Sequence, residues 1–180
     1  MKKILALCLC TLLCLGFVAC TGQNDINVPM GMMLASDPEL PNYVLMVPND
    51  WTVESTTGTT TAYYRDNLSN HVLATFSATF NSPESADVTA NSYFDSFVEE
   101  HTQALGEIED IVSSECLLDG KSAMKYTYST TFGETEYKFW QVICIYDGII
   151  YTLTYSATAD CFDNYAEDMS LILTNFYFKK

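Results

Sequence analysis

With 180 residues, 48% of them apolar and 13% aromatic, the chain suffices for one domain with a sizeable core, and its bulk is not a disordered tail. Twenty-three acidic side chains against eight Lys and Arg leave a formal net charge of -15. That excess argues against nucleic acid, whose phosphates demand a basic surface, and against direct adhesion to anionic lipid headgroups.

Met1, Lys2 and Lys3 make a short basic start, and Ile4 to Val18 follows without a charge. The apolar run is shorter than the roughly 20 residues a bilayer-spanning helix needs, and it leads into Phe17-Val18-Ala19-Cys20. Residues 1–19 therefore read as an export signal. The setting of Cys20 resembles a bacterial lipoprotein signal, in which the cysteine after the cut is acylated, for example with palmitate, and becomes the mature N-terminus. The resemblance implies a cell-membrane location, lipid-anchored on the extracytoplasmic face. Cleavage removes Lys2 and Lys3 and no acid, so the net charge falls by two, from -15 to -17. Acyl chains, and not surface charge, must then hold the protein at the bilayer. Residues 20–42 contain Gly22, Gly31, Pro29, Pro38 and Pro41 without sustained periodicity and are expected to form a flexible tether. Met30, Met32, Met33 and Leu34 offer docking on the domain as the alternative.

A single domain is expected over 43–180. Tyr43 to Val47 reads as a strand, Pro48-Asn49-Asp50 as a turn, and Trp51 opens the next run. Thr60 to Asp66 and His71 to Phe80 are rich in Thr, Tyr, Val and Phe around a polar turn, the pattern of a hairpin. After Pro83 the period changes: Ala90, Phe94, Phe97, Val98, His101 and Leu105 make one stripe of an amphipathic helix that Gly106 terminates. Four extended runs follow, Ile108 to Leu118, Lys121 to Phe132, Thr135 to Tyr146 and Ile149 to Ser156. Asp119-Gly120, Gly133-Glu134 and Asp147-Gly148 separate them, and these two-residue turns predict a four-strand meander. A last helix carries Phe162, Tyr165, Ala166, Met169, Ile172, Leu173 and Phe176 on one stripe, with Asp160 expected as its N-cap.

Tight turns fix register, so cross-strand partners are computable. Ala123 falls opposite both Cys116 and Cys144, two strand spacings, roughly 9 to 10 Å, apart and beyond disulfide reach. Only Cys161 is left as a partner for either thiol. With Cys20 acylated, three mature cysteines remain; the expectation is buried free thiols and no disulfide. The registers also put Trp140, Val142, Cys144, Tyr146, Tyr151, Leu153 and Tyr155 on one face. Met124, Tyr126, Tyr128, Phe139, Ile143 and Ile145 occupy the other. Two apolar faces in the middle strand require cover on both sides. The fold class expected is α+β, an antiparallel sheet and two main helices in a three-layer α-β-α sandwich.

Strand, Val47-Pro48-Asn49-Asp50-Trp51, hairpin, helix, meander with Gly148-Ile149-Ile150-Tyr151, and a last helix ending at Phe176 together resemble the PsbP-like fold. The resemblance implies a fold and a non-enzymatic tendency, without a ligand or ion-binding set.

Chemistry-bearing residues are sparse. No Cys/His cluster, HExxH or CxxC is present, so no metal and no cofactor is expected. Glu99, Glu100, Glu107, Glu109 and Asp110 read as a solvated acidic face. His101 sits on the helix stripe as a core-edge residue and is a base for Cys116 or Cys161 only if the fold joins them. Register groups Lys125, Thr127, Trp140, Tyr151 and Tyr155 into an aromatic wall with one cation, a candidate binding surface for a planar or sugar-like ligand and otherwise core beneath a helix. The expected function is a non-enzymatic binding or assembly module for a partner protein or small ligand at the membrane surface. The alternatives are an envelope hydrolase and a carrier of a small amphipathic ligand.

Overall fold

The computed structural model describes residues 26–36, 42–66, 68–69, 71–83 and 85–179. Residues 1–19, expected to be an export signal, and the acylation candidate Cys20 lie outside the described residues. The elements run β1 (Met32–Leu34), β2 (Tyr43–Val44), β3 (Met46–Pro48), β4 (Thr52–Thr56), β5 (Thr59–Arg65), β6 (Val72–Asn81), α1 (Ala90–Leu105), β7 (Ile108–Leu118), β8 (Lys121–Phe132), β9 (Thr135–Tyr146) and β10 (Ile149–Thr158). A 3-10 turn at Phe162–Tyr165 then leads into α2 (Ala166–Asn175) and β11 (Tyr177–Phe178). None of the described helices is long and apolar enough to cross a membrane.

Seven strands form one antiparallel sheet in the order β4-β5-β6-β10-β9-β8-β7. The meander pairs as its turns require: Leu118 faces Lys121, Phe132 faces Thr135 and Tyr146 faces Ile149. Asp119 with Gly120, and Asp147 with Gly148, take positive φ at both central positions, as type I′ turns demand. Within the meander the register slips at a bulge between Glu109 and Val112, where Asp110 sits at φ 52°, and outside it between Tyr64 and Arg65 on β5.

The two faces fill two separate clusters. Val142, Cys144, Tyr151, Leu153 and Tyr155 join Met169 and Ile172 of α2 and Phe176, which follows it. Tyr126, Tyr128 and Ile143 join Phe94 of α1. A reciprocal cap starts α1: Thr89 Oγ1 accepts the Ser92 N–H at 3.1 Å, and Ser92 Oγ accepts the Thr89 N–H at 3.0 Å. At the second helix Asp160 does not cap. Its carboxylate accepts the Thr158 hydroxyl instead, and the chain enters α2 through the 3-10 turn.

Two expectations change. The segment read as tether is ordered over 32–36: Met32–Leu34 pairs with Met46–Pro48, and Ala35 and Ser36 are buried. Ser36 Oγ accepts the Leu45 N–H at 3.0 Å, and the Ala35 N–H reaches Leu45 O at 2.8 Å, so an apolar tripeptide and a hydroxyl fasten the lead-in to the core. Met30 is fully exposed and takes no part. Cover on the two faces is also uneven. Tyr43, Leu45 and Val47 from the N-terminal strands share the α2 side with the helix. On the α1 side the helix lies over β7, β8 and β9. There β5 and β6 present Thr59, Thr61, Thr75, Ser77 and Thr79, half-buried hydroxyl side chains that tolerate water, beside the half-buried Tyr63.

Candidate functional site

The residues of the expected wall divide into core and margin. Tyr155 and Tyr151 are 0% and 3% exposed. The Tyr155 hydroxyl donates to Phe162 O at 2.6 Å, and its ring lies 4.8 Å from that of Phe162, so the 3-10 turn roofs it. Tyr151 packs edge-on against Tyr43 and Phe178. Lys125, Thr127 and Trp140 remain half-buried at the margin, with Lys125 Nζ 4.9 Å above the Trp140 ring. Register brought all five to one face. Register does not report which of them a neighbouring element covers.

The sheet holds the thiols and His101 apart. Cys116, Cys144 and Cys161 are free and belong to the α2-side cluster. Cys144 Sγ donates to Ser122 O at 3.5 Å, and burial pushes its thiol from an ordinary 9.0 up to about 11. Burial also pushes Cys116 upward, with Lys125 pulling weakly the other way. Both are held as neutral thiols, the opposite of an activated nucleophile. His101, on α1, is on the other side. Its Nδ1 lies 2.9 Å from Phe97 O, and a carbonyl only accepts, so the proton sits on Nδ1 and Nε2 is the ring's remaining polar atom. His71 is exposed beside the β5–β6 turn. Among the described residues, no three His, Cys, Asp or Glu side chains come close enough to hold a metal ion.

A cleft of about 550 Å³ opens between α1 and the rim formed by β6 and β10. Ser92, Tyr93, Ser96, Phe97, Glu100 and His101 line it from the helix, and Asn81 and Ile150 from the strands. Asn81 Nδ2 approaches the Tyr93 hydroxyl at 3.5 Å, Ser96 Oγ donates to Ser92 O at 3.1 Å, and His101 stacks on Phe97 at 4.2 Å. Hydroxyl, amide, carboxylate and imidazole groups thus surround two aromatic rings, a lining suited to a small polar ligand with one flat or apolar side. The sequence carried a signal for it: Ser92, Ser96 and Glu100 form a polar row at i, i+4 spacing beside Tyr93, Phe97 and His101, the last two at the edge of the apolar stripe.

A mostly antiparallel sheet with two helices matches a PsbP-like α+β fold. The chain is similar to the solution structure of cyanobacterial PsbP from Synechocystis sp. PCC 6803, with a TM-score of 0.63 and 17% identity over 91% of this chain and 98% of that one. It is also similar to the crystal structure of LpqN, involved in cell envelope biogenesis of Mycobacterium tuberculosis, with a TM-score of 0.59 and 16% identity over 83% of this chain and 91% of that one. At these identities the likeness shows the fold alone. No protein-family model matches the chain, and no curated protein does.

Proposed function

We propose that this protein is an extracytoplasmic lipoprotein, held to the cell membrane through acylated Cys20, whose three-layer α-β-α domain is a non-enzymatic binding or assembly module. The observation that carries the reading is the partition of its chemistry. The cleft under α1 gathers polar groups and rings, while the thiols sit across the sheet from the histidine that would have to activate them. Ser96, the hydroxyl nearest in kind to a nucleophile beside His101, gives its proton to Ser92 O. A carrier needs a closed dry cavity, and this cleft is open with a mixed polar lining. The similarity to LpqN, involved in cell envelope biogenesis, supports an envelope setting for this chain.

Two experiments test the parts separately. Palmitate labelling is expected on the wild type and absent from Cys20→Ala; an unlabelled wild type overturns the anchor. A photo-crosslinker at position 96 in living cells is expected to capture an adduct of defined mass that is lost on Phe97→Ala. Turnover of any substrate by the purified protein, abolished by His101→Ala, overturns the non-enzymatic reading.

A further inference from the structure

We propose that the free edge of β7 is a strand-addition site for an extended segment of a partner protein, with Lys or Arg alternating with apolar residues. β7 ends the seven-strand sheet, and among the described residues no strand lies on its outer side. It is 11 residues long, whereas β4, the other edge, has 5. At about 3.3 Å per residue the regular stretch 112–118 is roughly 23 Å of backbone, in which the N–H and C=O groups of alternate residues point away from β8. Proteins usually blunt such an edge with Lys, Pro, a bulge or short length; the bulge between Glu109 and Val112 interrupts one end and leaves 112–118 as the regular edge. The run IEDIVSSECLL contains no Lys and no Pro, and it exposes Ile111 at 45%, Val112 at 63% and Leu117 at 72%.

A groove beside the edge says what fits. Phe94, Asp95 and Val98 of α1 face Ile111, Ser113 and Tyr126 across about 480 Å³, the arrangement in which an added strand lies between a sheet edge and a helix. Side chains of an added strand alternate between the two faces. On the groove side the charges are Asp95 and, opposite Met124 on β8, Glu115. Lys or Arg stems would lie along Val98 and Ile111 with their heads at these carboxylates. On the other face Val112, 63% exposed, offers apolar contact to the segment's apolar residues. A second copy of this chain is a poor occupant, because it brings its own Glu109, Asp110 and Glu115 and a net charge of -15. The same excess of acid steers a basic segment in from a distance.

This inference rests on the binding-module reading and is tested apart from it. The probe is an end-blocked octapeptide alternating Lys and Val, added to the full chain in detergent while amide hydrogen exchange is followed. Slowed exchange across 108–118 is expected. Asp95→Asn combined with Glu115→Lys, both at exposed positions, is expected to weaken binding about tenfold. N-methylation at alternate peptide residues, which keeps the charge and removes ladder donors, is expected to abolish the protection for one of the two alternations. Unchanged exchange at β7, equal binding of both N-methylated peptides, or protection that rises with protein concentration in the absence of peptide would each overturn the inference. An adduct at position 96 with a silent β7 edge sinks this inference alone, whereas substrate turnover sinks the module reading itself.

Discussion

Removing the Phe94 side chain is expected to detach α1 from the sheet before the sheet itself yields. Phe94 is 2% exposed and is the one fully buried side chain among those described on α1. Its ring stacks on Tyr126 at 3.8 Å and lies 5.7 Å from Tyr128 and 5.9 Å from Phe97. Truncating a buried Phe to Ala costs about 3 to 5 kcal/mol, a large share of the roughly 5 to 15 kcal/mol that holds a domain together. At about 2 to 4 °C per kcal/mol for a chain of this size, Phe94→Ala should melt about 6 to 20 °C below the wild type. Phe94→Leu, which keeps most of the volume, should recover more than half of that. Because Phe94 fastens a helix that otherwise contributes half-buried side chains, the loss is expected first as faster amide exchange across Ala90–Leu105, with β8 and β9 still protected. A stability change below about 1 kcal/mol, or exchange rising equally in α1 and β9, would refute the reasoning, because the roof over the cleft would then not depend on this contact.

Three further outcomes follow from buried polar groups. Trp51 Nε1 donates to Asp168 Oδ2 at 3.1 Å, and burial holds the Asp168 carboxyl above its ordinary 3.8 although the Trp51 bond pulls the other way. Folding therefore favours the protonated acid, a contribution that is full below the unfolded value and lost as pH rises through the folded one. Urea melts at pH 4 and 7 should show Asp168→Asn gaining on the wild type at the higher pH and Asp168→Ala, which strands the indole, losing about 1 kcal/mol; an Asn variant that falls behind at pH 7 contradicts the argument. Thr152 Oγ1 is buried without a partner, so Thr152→Val should stabilise by about 0.5 to 1.5 kcal/mol in a thermal melt, and destabilisation would mean that something pairs with that hydroxyl. At pH 8 a thiol pushed up to about 11 carries about a hundredfold less thiolate than an ordinary one. Mass spectrometry after alkylation of the folded protein should therefore find Cys144 labelled last, and early labelling of Cys144 would refute its burial.

The meander was legible because two-residue turns leave no freedom in pairing. Once Asp119-Gly120 and Asp147-Gly148 are read as I′ turns, the partners of Ala123, Trp140 and Tyr155 follow, and with them the split of the two faces. The bulge at Asp110 was not legible, since an acid at positive φ carries no glycine to announce it. Strand β1 escaped because three residues pair with Met46–Pro48 across a stretch containing two prolines, a non-local contact that periodicity does not encode. The wall failed as a unit for a similar reason: register placed Tyr155 beside Trp140, but the roof over Tyr155 comes from Phe162, whose position depends on how α2 docks. The cleft was half legible. Its helix rows are in the sequence, and its opposite wall at Asn81 and Ile150 exists only because β6 and β10 pair.

The separation of thiols from histidine, and with it the reading as a binding module, stands on the register of β8, β9 and β10. Cross-strand backbone contacts in a nuclear magnetic resonance spectrum of the whole chain measure that register directly. Contacts joining Thr127 to Trp140 and Trp140 to Tyr155 are expected. Contacts offset by one, joining Thr127 to Phe139 or Trp140 to Ser156, would bring the α1-side residues onto the face of the cysteines and contradict the account.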